Sequence, residues 1–329
     1  MGFFIQTHLT RKCQSRCAHC YQDGWEGADA PVSAWESFIR QTVVDFEPHF
    51  GQLTFNVTGG DPLAYAGIWE LAEVINSTNS RWSLLSSGAG IDRDIAARLR
   101  GLGVESVQIS LEGFKPVNDA IRGKGSYARA MSAISVLRSS GVKVSIAATV
   151  TAVNADELEN FTGWAREENL PLGLHRHIAM GAGAMPGLSG AEWGRVVERM
   201  ARKRVDGFMV WMNDPLFYVA LAGARGLKEF PQKAGFAMKG CSAGVGGVTV
   251  MEDGSVYPCR KIPETLGNVF ETSLWRIWMD SPLLWRLRRR NESQGPCSSC
   301  RWMRLCGGCR AHAMLEGRGL DGADPYCGN

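Results

Sequence analysis

Over the first 178 residues, short apolar runs alternate with longer stretches of helical spacing. Phe3-Phe4-Ile5-Gln6-Thr7-His8-Leu9 reads as a first strand. A helix is predicted over about 33–47, with Ser33 as N-cap and Glu36 three residues on. Strand 52–57, helix 65–77, strand 82–86, helix 91–102 and strand 104–110 follow. Helix 126–140, strand 142–150, helix 155–168 and strand 170–178 complete the series. Gly103 and Gly141 stand where the left-handed residue just past a helix belongs. Six strands alternating with helices predict an α/β fold, a parallel sheet with right-handed crossovers. Six repeats are too few for a closed eightfold barrel, so an open (β/α)6 partial barrel is expected over residues 1–178. Ligands of such sheets bind in the loops at the C-terminal ends of the strands.

The pattern then changes. Residues 179–235 read as a helical connector, with the turn Met180-Gly181-Ala182-Gly183-Ala184 and a helix from Gly190. In 236–329, Val245–Met251 and Ser255–Cys259 predict a β-hairpin turning at Asp253-Gly254. A helix near 272–289 and a cysteine-rich segment follow.

Composition narrows the class. The chain has 329 residues, of which 45% are hydrophobic, ordinary for a globular protein. No apolar run approaches the roughly 18 residues of a membrane span, and residues 1–9 lack the charged start and apolar stretch of an export signal. A net charge of +3 gives no reason for an obligatory nucleic-acid partner. The local cluster Arg286-Leu287-Arg288-Arg289-Arg290 reads as a solvated last helical turn, where cations complement the helix dipole.

The ten cysteines carry the chemistry. One set is Cys13-x3-Cys17-x2-Cys20, directly after the first strand. The other is Cys241, Cys259, Cys297-x2-Cys300-x5-Cys306-x2-Cys309 and Cys327, and the stretch 21–240 between the sets has none. A disulfide framework suits short secreted chains, not this one. Structural zinc would account for Cys297, Cys300, Cys306 and Cys309 but leaves the first set without a role. Inert buried thiols do not cluster in this way. Iron–sulfur ligation accounts for both sets. Three close thiolates leave one iron of a cubane open to bind something else.

Cys13-x3-Cys17-x2-Cys20, set between Leu9-Thr10-Arg11-Lys12 and Tyr21, resembles the cluster loop of the radical S-adenosylmethionine (SAM) enzymes. The resemblance runs from about residue 3 to the end and implies the partial barrel expected above. It also implies a [4Fe–4S] cluster whose open iron chelates SAM. Reductive cleavage of SAM to a 5′-deoxyadenosyl radical would then lead to hydrogen abstraction from the substrate. Flavodoxin or ferredoxin is the implied electron donor, and a reducing cytoplasm is the natural compartment for oxygen-labile clusters.

Thr58-Gly59-Gly60-Asp61-Pro62 resembles the family's Gly-Gly-Glu-Pro turn, which accepts hydrogen bonds from the SAM amino group. Asp61 is one methylene shorter than the usual Glu, which shifts weight to the backbone. Ile109-Ser110-Leu111-Glu112-Gly113 resembles the segment whose serine, here Ser110, contacts SAM; Glu112 replaces the usual Asp. Arg122 resembles a carboxylate contact, and an exposed arginine approaching a helix is the competing reading. His19 occupies the position of a ring beside the adenine.

The second cysteine set resembles the SPASM extension, which holds two auxiliary clusters, with one residue fewer in the last short gap. The resemblance assigns Cys297, Cys300, Cys306 and Cys327 to an outer cluster and Cys241, Cys259 and Cys309 to an inner one. Gly240-Cys241-Ser242-Ala243-Gly244 and Cys306-Gly307-Gly308-Cys309-Arg310-Ala311 resemble peptide-modifying maturases and the enzymes that trim tetrapyrrole propionates. Sulfatase-maturing relatives carry an Asp base where Arg260-Lys261 stand here, which disfavours that activity. The catalytic domain begins at residue 3, so a small substrate, or a peptide brought by a separate leader-binding protein, is expected. Arg260 is the candidate substrate contact, with full solvation on the far face of the hairpin as its alternative. An electron-transfer protein using the same cysteines is the reading from another class.

Overall fold

The computed structural model describes residues 2–183, 185–229, 240–289 and 295–328. Ala184 of the glycine-rich turn, the first residues 236–239 of the expected extension and Arg290 of the basic cluster lie outside the described residues. The first half runs β1 (Phe4–His8), α1 (Val32–Phe50), β2 (Thr54–Thr58), α2 (Ile68–Asn76), β3 (Arg81–Ser86), α3 (Arg93–Gly101) and β4 (Ser106–Ser110). It continues through α4 (Lys115–Arg122), α5 (Ser126–Ser139), β5 (Val144–Val150), α6 (Leu158–Glu167) and β6 (Leu172–Arg176). The second half holds α7 (Gly190–Val205), β7 (Val210–Met212), α8 (Pro215–Ala224), β8 (Gly247–Val250), β9 (Ser255–Tyr257) and β10 (Gly267–Asn268). Helices α9 (Leu274–Asp280), α10 (Pro282–Arg288) and α11 (Arg310–Leu315) close the chain.

The strands form one ten-stranded sheet in the order β10-β9-β8-β1-β2-β3-β4-β5-β6-β7. From β8 to β7 every neighbouring pair is parallel, while β9 and β10 turn back antiparallel. The six expected strands lie side by side in chain order. Two features exceed the expectation. A seventh barrel strand, β7, is too short to show a period of its own. The predicted hairpin β8–β9 is the prolongation of the sheet, with β8 parallel to β1 in the register Ile5↔Val248.

One face of the sheet is apolar. Ile5, Phe55, Trp82, Leu84, Val107 and Ile146 are fully or almost fully buried beneath the helices, each contributing roughly 1.5–3 kcal/mol. The alternate positions Gln6, Asn56, Ser83 and Ser106 lie in register across β1–β4 and are only half-buried. This alternation gives a partial barrel with a polar interior. The core is continuous with the C-terminal helices: Phe3 meets Trp278 edge-on at 4.9 Å and Phe46 meets Trp275 at 5.1 Å.

Local chemistry explains where the boundaries moved. Helix α1 starts at Val32 behind Pro31, whose fixed φ of −65° sets the entry, so Ser33 is inside the first turn and is not the cap. Helix α4 fills the loop after β4 and was not expected; Pro116 stands in its first turn. The expected single helix over 272–289 is two, because Pro282 has no N–H to continue α9 and instead opens α10, capped by Ser281. Gly103 (φ 66°) and Gly141 (φ 74°) do end α3 and α5 in the left-handed region. In the basic cluster, Arg286 is exposed, but Arg288 is not a solvated cation. Its guanidinium lies 3.8 Å from the Trp278 ring centre and donates to the carbonyls of Gly244 and Trp278. Burial lowers its pKa to about 10.

Candidate functional site

The first cysteine loop leaves β1 at the C-terminal edge of the sheet. Two glycine turns hold it from either side. Gly60 N–H donates to Thr10 O (2.7 Å) and Asp61 N–H to Lys12 O (2.9 Å). A Cβ on Gly59 would lie 2.6 Å from Thr10 O, and one on Gly60 2.4 Å from Lys12 O, so only glycine admits this approach. From the connector, Ala182 N–H donates to Gln22 O (3.0 Å), and a Cβ on Gly183 would lie 2.6 Å from the His19 carbonyl carbon. The glycine-rich turn thus covers the stretch that carries Cys20.

Asp61 is fully buried and its carboxylate is saturated. It accepts from Leu63 N (3.2 Å), Ser86 Oγ (3.0 Å), Ser87 N (3.1 Å) and Ser87 Oγ (2.6 Å). The shorter acid is therefore occupied with the end of β3, and the acceptors left to a ligand in this turn are backbone carbonyls. Ser110 ends β4, and its hydroxyl makes no hydrogen bond among the described residues.

Glu112 is the organising group of the next loop. Its Oε1 accepts from Arg122 Nε at 2.8 Å and lies 3.0 Å from His19 Nε2, while its Oε2 accepts from Thr149 N at 2.6 Å. Arg122 also reaches Cys17 Sγ at 3.7 Å. Arg122 is thus not an exposed arginine: Glu112 holds its Nε and the cysteine loop its Nη1. Burial opposes the Glu112 charge, but His19 and Arg122 prevail and bring its pKa down to about 2.

A value below the ordinary 4.5 means that this charge stabilises the fold fully above about pH 4.5. The contribution is lost as pH falls toward 2. Glu112→Gln leaves Arg122 buried without its counter-charge, and we expect a loss of about 3 kcal/mol in the unfolding free energy at neutral pH. The gap between variant and wild type should shrink below pH 4, as measured by urea titration at stepped pH.

The cysteines of the extension fall into two neighbourhoods. Cys241, Cys259 and Cys309 pack together around Ala243, Ile262 and Ala311. Cys300 and Cys306 pack with Trp302 and Leu305, and Cys297 is in electrostatic range of Cys300 and Cys327. Among the described residues no three His, Cys, Asp or Glu side chains close to the spacing of a single bound ion.

None of the ten cysteines is joined in a disulfide. Several sulfurs already receive N–H donors, as cluster thiolates do: Ser15 N to Cys13 (3.4 Å), Trp302 N to Cys300 (3.4 Å) and Gly308 N to Cys306 (3.3 Å). Burial raises Cys17 to about 11 and Cys306 and Cys309 to about 12, so iron must displace protons on binding. Thiol content, grouping and N–H donors all fit iron–sulfur clusters.

Joining the two halves is a buried network that the sequence pattern did not single out. Arg176, at the end of β6, donates to Asp214 Oδ2 (2.7 Å) and to both oxygens of Asp324 (2.6 and 3.0 Å), and lies 3.0 Å from His312 Nδ1. Asp324 in turn accepts from Cys309 N at 2.9 Å, and Asp214 caps α8 through Leu216 N. Lys261 is turned inward and donates from Nζ to Arg176 O at 3.1 Å. The available signal was the run His175-Arg176-His177, charged and polar at the end of an apolar strand.

The model of the radical SAM superfamily matches residues 7–165, and that of the SPASM iron–sulfur cluster-binding domain matches residues 241–301. The chain belongs to the radical SAM superfamily, in the subfamily with a SPASM domain. It is 30% identical to the mycofactocin maturase MftC of Mycobacterium ulcerans, over 97% of this chain and 86% of that protein. It is 26% identical to the AdoMet-dependent heme synthase of Methanosarcina barkeri, over 98% of this chain and 95% of that one. In fold it is similar to Streptococcus suis SuiB bound to S-adenosylmethionine, with a TM-score of 0.80 at 18% identity, over 100% of this chain and 78% of that one. This radical SAM enzyme uses iron–sulfur clusters and SAM. Bound together, the cluster and SAM supply a carbon radical that takes a hydrogen atom from the substrate. Among the described residues no helix is long and apolar enough to cross a membrane.

Proposed function

We propose that this enzyme modifies a peptide or an amino-acid-derived natural product, by oxidation or cross-linking that begins with hydrogen abstraction. The observation carrying the reading is the 30% identity with mycofactocin maturase MftC, spread over 97% of the chain and so covering both cysteine sets. The fold admits such a substrate, since SuiB has been solved bound to the precursor peptide SuiA.

In this reading Cys13, Cys17 and Cys20 hold the SAM cluster. Gly59 and Gly60 present carbonyls to the SAM amino group, Ser110 and His19 flank the rest of SAM, and Arg122 with Asp61 keeps the loops in place. Cys241, Cys259 and Cys309 hold the inner auxiliary cluster, and Cys297, Cys300, Cys306 and Cys327 the outer one. Residues 1–178, 179–235 and 236–329 are the barrel, connector and cluster units. The protein works in the cytoplasm, takes its electron from a flavodoxin or ferredoxin and receives its peptide from a separate leader-binding protein.

Tetrapyrrole side-chain modification is the second reading. It is favoured by the 26% identity to a heme synthase that the chain matches over 95% of its length. The test is anaerobic incubation of the reconstituted protein with SAM and reductant, with candidate precursor peptides in one arm and propionate-bearing tetrapyrroles in the other. Mass spectrometry should find a SAM-dependent mass change in a peptide. Conversion of the tetrapyrrole alone would replace the first reading with the second.

A further inference from the structure

We infer that Arg260, His8 and Tyr21 form an anion-binding site at the mouth of the barrel that anchors a carboxylate of the substrate. The chain leaves β9 through Pro258 and Cys259 and turns Arg260 inward, not onto the far face of the hairpin. Its guanidinium lies 4.8 Å from the centre of the Tyr21 ring. Tyr21 directly follows Cys20, and its hydroxyl lies 3.5 Å from Gly59 O, so the ring joins the cysteine loop to the glycine turn.

Two polar atoms here lack partners among the described residues. Arg260 Nε is buried with no hydrogen bond, and the residue makes no ion pair among the described residues. His8, which ends β1, is completely buried, and its Nε2 has no partner. Its Nδ1 lies 3.5 Å from the Tyr21 hydroxyl. Arg260 Nε can only donate, and the His8 tautomer with its proton on Nε2 adds a second donor beside it. Burial and the adjacent guanidinium keep His8 neutral, with a pKa lowered to about 3.

An unpaired buried donor is costly, and native sites that keep one are commonly completed by a ligand. A permanent cation with an unused buried donor selects an anion, and the planar guanidinium fork matches a carboxylate. Glu252, an acid in electrostatic range of Arg260, pairs with Arg11 at 3.5 Å and makes no ion pair with Arg260 among the described residues. Lys261 is not part of the anchor, because its ammonium group is bonded to Arg176 O.

A carboxylate here has two sources, SAM itself or the substrate. The proposal is the substrate's. It rests on the peptide reading only for what bears the carboxylate, so a failed anchor leaves the mass-change experiment intact.

The test uses the anaerobically reconstituted, SAM-loaded enzyme, with benzoate as the probe and benzamide as its neutral match, followed by ligand-observed NMR. Benzoate should bind at least about tenfold more tightly than benzamide, the span of one charge-assisted hydrogen bond. Arg260→Met should weaken benzoate binding by about tenfold or more, and Arg260→Lys should restore it only in part. Iron content, SAM affinity and uncoupled release of 5′-deoxyadenosine should stay at wild-type levels in both variants. Equal benzoate binding by wild type and Arg260→Met, or no preference over benzamide, would overturn the site. Loss of SAM affinity with iron retained would assign the anion to SAM and overturn the substrate anchor.

Discussion

Arg176→Ala is expected to destabilise the folded enzyme by about 3–5 kcal/mol, the range for removing one partner of a buried charge cluster. The side chain is 4% exposed and neutralises two buried carboxylates, Asp214 and Asp324, at 2.6 Å each. Without it both acids remain in the interior, and among the described residues His312 is the basic group left against Asp324, at 3.7 Å. The loss is a large share of the roughly 5–15 kcal/mol that holds a typical domain folded.

The damage should be local as well as global. Asp324 is the acceptor for Cys309 N and its carbonyl accepts from Cys327 N, so both cysteine neighbourhoods depend on where it sits. Arg176→Lys should recover little, because a single ammonium group cannot span two carboxylates and reach His312. As a contrast, Lys203→Ala breaks the pair with Glu159, which is 51% exposed, and should cost under about 1 kcal/mol. The check is anaerobic urea unfolding of the reconstituted variants with iron analysis before denaturation. An unchanged midpoint for Arg176→Ala would refute the role given to this network.

Legibility from sequence followed the physics of each element. Strands β1–β6 were readable because each is an apolar run between helical stretches, and a parallel sheet buried under helices needs that pattern. Strand β7 has three residues and no period to read. The joining of β8 to β1 is a pairing between residues far apart in the chain, and no local preference records it. The cysteines were legible because their spacing is itself the chemistry. Asp61 was legible as a member of its turn, but its saturation by Ser86 and Ser87 depends on where β3 ends in space. Glu112 appeared as an odd substitution, and only the structure shows it holding both His19 and Arg122. Arg260 follows a short hairpin strand whose local sequence fits either face, and its stacking on Tyr21 joins residues far apart in the chain.

The second large effect concerns the first cysteine loop. Replacing Cys13, Cys17 and Cys20 with Ala should remove one of three clusters, lowering iron from about twelve atoms to about eight if all are cubanes. The fold should survive. Their thiols are only half-buried, and the loop is held by backbone bonds from Thr10 and Lys12 to Gly60 and Asp61, which the substitution leaves in place. The auxiliary cysteines lie in separate neighbourhoods and should keep their iron. An electron carrier built on the same ten cysteines would have no use for SAM in either form.

The decisive measurement is therefore anaerobic release of 5′-deoxyadenosine from SAM, with dithionite as reductant, by wild type and by the triple variant in parallel. The wild type should release it steadily, and the triple variant should release none while retaining its auxiliary iron. A wild type that is fully loaded with iron yet leaves SAM intact, or a triple variant that still cleaves it, would contradict the account.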